Sequence, residues 1–125
     1  MQRNMSEKLP IRYFSAITIR KVEWLWYPYI PYGKVTILQG DPGDGKTTFI
    51  LNVAALLSQG APMPESTERT PRTNTIYQSA KDDAKDTLKP RLLSAGADCS
   101  RIAFMDESDG RLSINDPRIE SAIPL

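Results

Sequence analysis

The spacing of apolar residues changes period several times along the chain, and each change predicts an element. Val35-Thr36-Ile37-Leu38 is a short β-branched apolar run, the pattern of a buried strand, expected here over Lys34–Gln39. Beyond it, apolar residues fall at Phe49, Val53, Leu56 and Leu57, the spacing of one helical face, and predict a helix from about Lys46 to Ser58. Gly60 is a natural C-terminal stop, with Pro62 and Pro64 just beyond. Residues 61–74 are rich in Pro, Thr, Glu and Arg and predict an exposed loop. Thr75–Ser79 is expected to be a second strand. Asp82 or Asp83 then opens a second helix, in which Ala84, Leu88, Leu92 and Ala95 share a face. Pro90 falls inside that helix and is expected to kink it, and Gly96 ends it. Ile102–Met105 predicts a third strand, and Asp116-Pro117 the start of a third helix.

The N-terminal part follows no such rhythm. Residues 1–13 mix charge, Pro10 and polar groups and are expected to be loosely ordered. Phe14 to Val22 alternates weakly, with Ile17 and Ile19 on one face, and predicts a short edge strand. Residues 24–33 then hold both tryptophans and three of the five tyrosines, and Pro28 and Pro31 exclude a helix or a central strand. Such a cluster serves either as a shelf on which a base stacks or as a lid whose aromatics cover the end of the core. Burial is the commoner role of large aromatics.

Strands alternating with helices argue for the α/β class, a parallel sheet wound by right-handed crossovers. The expected architecture has three main strands plus the N-terminal edge segment, and its unfinished edges give it the look of the front half of a domain. Residues 1–33 are expected to form an N-terminal extension with the aromatic lid. Residues 34–125 are expected to form a partial nucleotide-binding domain.

The chemistry sits between the first main strand and the first helix. Gly40-Asp41-Pro42-Gly43-Asp44-Gly45-Lys46-Thr47 fits G-x-x-x-x-G-K-[ST], a phosphate-binding loop, without mismatch. A triphosphate is a dense anion that needs several donors converging at close range. Glycine lets the main chain approach and turn, successive N–H groups form an anion nest, and the following helix points its free N–H groups at the same place. Lys46 is expected along the β- and γ-phosphates, Thr47 on Mg²⁺ through its hydroxyl, and Thr48 at the α-phosphate. A glycine turn that merely joined strand to helix would not require the Lys-Thr pair.

Composition narrows the field further. A net charge of +1 leaves no overall electrostatic footprint for nucleic acid, and the absence of histidine removes histidine bases and histidine metal ligands. The single cysteine, Cys99, cannot form an internal disulfide and points to a reducing compartment. No apolar run approaches a membrane span, so a cytoplasmic protein without a membrane partner is expected.

Beyond the loop, several signatures carry a resemblance. They are Trp24-Leu25-Trp26, Ile30-Pro31-x-Gly33, Tyr77-Gln78-Ser79-Ala80-Lys81-Asp82, Arg91-Leu92 and Gly96-Ala97. With the phosphate loop they make residues 20–125 similar to RecA-like P-loop ATPases, in particular to the RepA-type hexameric replicative helicases of plasmids and mobile elements. The resemblance implies a RecA-like fold, ATP hydrolysis with Mg²⁺, a ring of identical subunits, and DNA as a frequent partner. It also implies that the second strand ends in a glutamate that polarises the attacking water. Here Lys81 stands at that place, followed by Asp82, and a lysine is no carboxylate base. Turnover is therefore expected to be lost or very slow while ATP and ADP still bind, with Asp82 or Asp83 a poor substitute. The resemblance further places the metal-holding aspartate on a later strand. Ile102-Ala103-Phe104-Met105-Asp106-Glu107, four apolar residues before Asp-Glu, competes for that role, and Asp106 is retained as a candidate Mg²⁺ ligand.

Three functions follow from these residues. The first is an ATPase subunit acting on DNA. The second is a nucleotide-binding regulator, or a truncated remnant, that does not hydrolyse. The third, a small nucleotide or metabolite kinase, is the weakest, because the 61–74 loop offers only Arg69 and Arg72 for an arginine-rich lid.

Overall fold

A computed structural model describes residues 9–79, 83–106 and 116–118. The chain divides into two compact units, Met1–Lys34 and Val35–Leu125. In the first, β1 (Trp24–Trp26) and β2 (Ile30–Pro31) form a two-stranded antiparallel ribbon with Trp24 opposite Pro31 and Trp26 opposite Ile30. The Tyr29 N–H donates to the Trp26 carbonyl and the Tyr32 N–H to the Glu23 carbonyl, closing the turn and its base. Both prolines are tolerated because one sits in the turn and the other on an edge. The predicted edge strand over 14–22 is not formed. Phe14–Ala16 is a single 3₁₀ turn, and Ile19 is 95% exposed, so the weak alternation there has no sheet to face.

The second unit is built around α1 (Lys46–Gln59). Leu51 and Ala54 on α1 pack with Leu88 and Leu92, and half-buried Tyr77, Ala97, Cys99 and Ile102 complete the core. Gly60 ends the helix at φ +65°, returning its N–H to Leu56 and Leu57 carbonyls, as its sequence position predicts. Two parallel strands, β3 (Thr75–Ser79) and β4 (Ile102–Asp106), pair in register from Thr75 opposite Ile102 to Ser79 opposite Asp106. Opposed Tyr77 and Phe104 stack their rings at 6.3 Å. Residues 61–74 carry no helix or strand, as their composition predicts.

Two expectations need correction. Lys34–Gln39 forms no strand, because among the described residues β3 and β4 pair only with one another and offer this run no ladder. Val35 and Ile37 are each 75% exposed, so the apolar pattern marks a segment suited to burial in a sheet that it does not join here. The parallel β3–β4 pair and the helices beside it are α/β and consistent with part of a P-loop domain.

The second helix also differs. Asp83 starts it by accepting N–H bonds from Lys85 and Asp86. A wide π turn, Ala84–Leu88, runs directly into α2 (Lys89–Ser94), with Leu88 and Lys89 both helical, so Pro90 stands inside one helical run as expected. Its missing N–H removes one backbone bond of that run, and the widened turn stands immediately before it. At the third predicted helix, Asp116 accepts from the Arg118 N–H and guanidinium, a capping geometry. The remainder of that helix lies outside the described residues.

Candidate functional site

The loop between residues 40 and 46 owes its path to glycine. Gly43 and Gly45 take φ +88° and +86°, a left-handed region that costs most side chains 1–2 kcal/mol, and a Cβ at either would meet nothing within 4 Å. Open space therefore stands directly over the main chain. Gly45 is also the N-cap of α1, where no side chain takes the first-turn N–H groups. Those donors, and the positive end of a 14-residue helix, remain available to an anion.

Lys46 lies back over this loop. Its Nζ donates to the Gly40 carbonyl at 2.6 Å and to the Asp41 carbonyl at 3.0 Å, which leaves one of its three N–H bonds uncommitted. The ammonium thus braces the loop. Asp44 works in the opposite sense. Its carboxylate accepts the Asp41 N–H at 2.6 Å, so an internal anion occupies a donor of the nest. Pro42 and the Asp44 N–H bonded to the Asp41 carbonyl complete a tight turn. Thr47 is half-buried and Thr48 exposed, on the first turn of α1.

Of the other predicted site residues, Asp106 is described. Lys81 and Asp82, and the alternative Glu107, lie outside the described residues. Asp106 is half-buried at the C-terminal end of β4, opposite Ser79. No group of three acidic or cysteine ligands suited to a metal forms among the described residues. Mg²⁺ in its usual protein setting takes only one or two protein oxygens and completes its shell with substrate phosphates and water. Thr47 would supply the hydroxyl, and Asp106 is the remaining carboxylate candidate.

A family model described as AAA domain matches residues 4–124. The chain belongs to the AAA-domain family. That membership carries an ATPase-type nucleotide-binding function and the use of a nucleotide, usually with Mg²⁺. The loop described above lies within the matched residues of this AAA domain. Comparison with curated proteins and with solved structures found no match. No helix among the described residues is long and apolar enough to cross a membrane.

Of the AAA domain's supporting residues, sequence reasoning missed Ser58. Fully buried, its hydroxyl donates to the Ala55 carbonyl at 2.7 Å and accepts the Asp98 N–H at 2.9 Å, tying α1 to the turn before β4. A serine among the apolar residues near the end of α1 was the available signal, but its partner lies 40 residues away. In the N-terminal unit Trp26 is buried and tilted against Tyr29, whereas Tyr27, Tyr29 and Tyr32 are 72%, 54% and 47% exposed.

Proposed function

We propose that this chain is an ATP-binding subunit of a RecA-like, RepA-type ATPase associated with DNA, and that it holds ATP far better than it hydrolyses it. The observation that carries the proposal is the loop: two left-handed glycines under open space, an uncapped helix start, and Lys46 poised over both. In this reading the triphosphate lies over Gly43 to Thr48, with Gly40, Asp41, Pro42 and Asp44 shaping the turn. Lys46 neutralises the β- and γ-phosphates, and the Thr47 hydroxyl shares Mg²⁺ with them. Bound Mg²⁺ would supply charge neutralisation at the phosphates. Lys81, at the position where the resemblance expects a carboxylate, cannot orient the attacking water, and loss of a general base costs a factor of about 10²–10⁴.

A DNA partner and a ring of identical copies rest on the resemblance, and the N-terminal unit supports the first. Between residues 9 and 34 it carries Arg12, Arg20, Lys21 and Lys34 against Glu23 alone, alongside its exposed tyrosines. Arg20, Lys21 and Lys34 line one concavity with Tyr32, and cations grouped with an aromatic suit single-stranded nucleic acid.

Titration calorimetry tests the binding claim. ATP and ADP bind the wild-type chain, and Lys46→Ala weakens triphosphate binding by about 1.5–3 kcal/mol. An unchanged affinity would remove the assignment. Phosphate release with and without single-stranded DNA tests the rest. Negligible turnover in both supports a non-hydrolysing nucleotide-binding regulator over a motor. Brisk turnover abolished by Asp106→Asn or Glu107→Gln makes Ile102–Glu107 the metal-binding strand and overturns the slow-hydrolysis claim.

A further inference from the structure

We infer that the apolar bowl enclosed by β3, β4 and the turn leading into α2 is a second ligand site, which takes a small apolar anion: a flat ring body carrying one carboxylate. It shares no lining residue with the phosphate loop, and nothing in it depends on ATP binding. The bowl is a cavity of about 290 Å³. That is the lower edge of small-molecule sites, roughly 300–1,000 Å³, and suits a body of one or two rings.

The interior determines the body. Leu51, Leu88 and Leu92 form a buried aliphatic floor. Tyr77 and Phe104 stand opposite each other in the parallel register and add a wall of two rings, 6.3 Å apart and 22° from parallel. Phe104 is 39% exposed, so this wall is not closed over by the elements around it. A flat apolar body laid against it takes aromatic and aliphatic surface out of water together, and aromatic pairing adds to that burial.

The rim determines the charge. Lys85 and Lys89 border the same bowl four residues apart, and both are exposed. Neither ammonium has an ion-pair partner among the described residues. No acidic side chain lines the cavity. Asp83 is turned to the main chain, where it accepts the Lys85 and Asp86 N–H groups, and Asp86 is exposed outside the lining. Two cations over an apolar interior attract an anionic head and repel a cationic one. Lysine stems lie along apolar surface while their ammoniums stay in water, so a head at the rim and a body within are satisfied together. An identical copy seated face to face would set two further ammoniums against these, so charge favours a small anion over self-association through this face.

Local structure explains why floor and rim coincide. One helical run, the π turn of Ala84–Leu88 continued by α2, sends Leu88 and Leu92 into the core against Leu51 and brings Lys85 and Lys89 to the mouth.

The test uses the full chain at neutral pH, with naphthoate and its neutral counterpart naphthalenemethanol as probes. Cys99 is a reporter inside the bowl, being the one cysteine of the chain and a half-buried part of the lining. Saturating naphthoate is expected to slow alkylation of Cys99 by iodoacetamide, a neutral reagent, by about tenfold or more as burial excludes it. Naphthoate is also expected to bind about tenfold more tightly than the alcohol, because charge-assisted contacts add to the apolar one. Lys85→Gln combined with Lys89→Gln should bring naphthoate down to the affinity of the alcohol. The alcohol should stay within about twofold of its wild-type affinity and the denaturant midpoint should not move, since only exposed charges are removed. Equal binding of the two compounds by wild type, or an undiminished preference in the double variant, overturns the anion assignment. Alkylation slowed by neither compound overturns the site itself. If alkylation slows as the chain concentration rises without ligand, and naphthoate leaves it unchanged, a second copy covers the bowl and the inference fails. ATP enters none of these readouts, so the phosphate-loop reading stands or falls apart from them.

Discussion

Within the phosphate loop, two acidic residues and one lysine set the balance. Asp44 donates nothing to a triphosphate and holds the Asp41 N–H that one would want. Asp44→Asn is therefore expected to tighten ATP binding by roughly 0.2–1 kcal/mol, up to about fivefold, since the charge removed is exposed and screened. Calorimetry beside wild type at the same ionic strength reads this directly, and weaker binding by the variant would show that the carboxylate supports the loop instead. A second residue-scale expectation concerns Asp116. Hydrogen bonds from the Arg118 guanidinium, then from its N–H, hold the Asp116 carboxyl at about 2, below its ordinary 3.8. A lowered carboxyl stabilises the folded form at pH above its ordinary value, and that contribution fades as pH falls from about 4 through 2. NMR titration of the side-chain carboxyl should show the low midpoint, and Arg118→Ala should return it toward 3.8.

At the scale of elements, the ends of α1 are specified more tightly than its face. Gly60 is left-handed, and a Cβ there would meet the Thr70 carbonyl oxygen at 2.8 Å, which is main chain and cannot step aside cheaply. Gly96, also left-handed, would place its Cβ 3.0 Å from the flexible Gln59 amide. Gly60→Ala should therefore destabilise by about 2–3 kcal/mol and Gly96→Ala by about 1 kcal/mol, compared by denaturant unfolding. Equal losses would mean that the 70–72 segment yields. Ser58→Ala strands the Asp98 N–H in a half-buried position and should cost about 1–3 kcal/mol by the same measurement.

For the whole molecule, the run Val35–Leu38 has the largest consequence. Val35 and Ile37, each 75% exposed, and Leu38, 45% exposed, lie together in a segment that joins no sheet among the described residues. A contiguous apolar stretch with unpaired main-chain groups invites association with another such stretch. Sedimentation should show concentration-dependent self-association of the 125-residue chain. Ile37→Lys should reduce it without changing ATP affinity, since residue 37 lies before the loop. A monomer at all concentrations would remove the expectation.

What sequence alone determined is what local chemistry determines. The glycine turn ahead of α1 was legible because left-handed main chain selects glycine at Gly43 and Gly45. Helix α1, its Gly60 stop, β3, β4 and the Asp83 start were legible because period and capping act within a few residues. Tertiary structure decided whatever depends on a distant partner. An apolar β-branched run becomes a strand only where another strand accepts its hydrogen bonds, and Val35–Leu38 meets none among the described residues. The π turn ahead of Pro90 was not legible from the apolar spacing, which is the same for one regular helix. The bond between Ser58 and Asp98 and the bowl that joins Leu51 to Lys89 exist only once α1 and α2 lie side by side. Their residues stand some forty apart in the chain, beyond the reach of any local pattern.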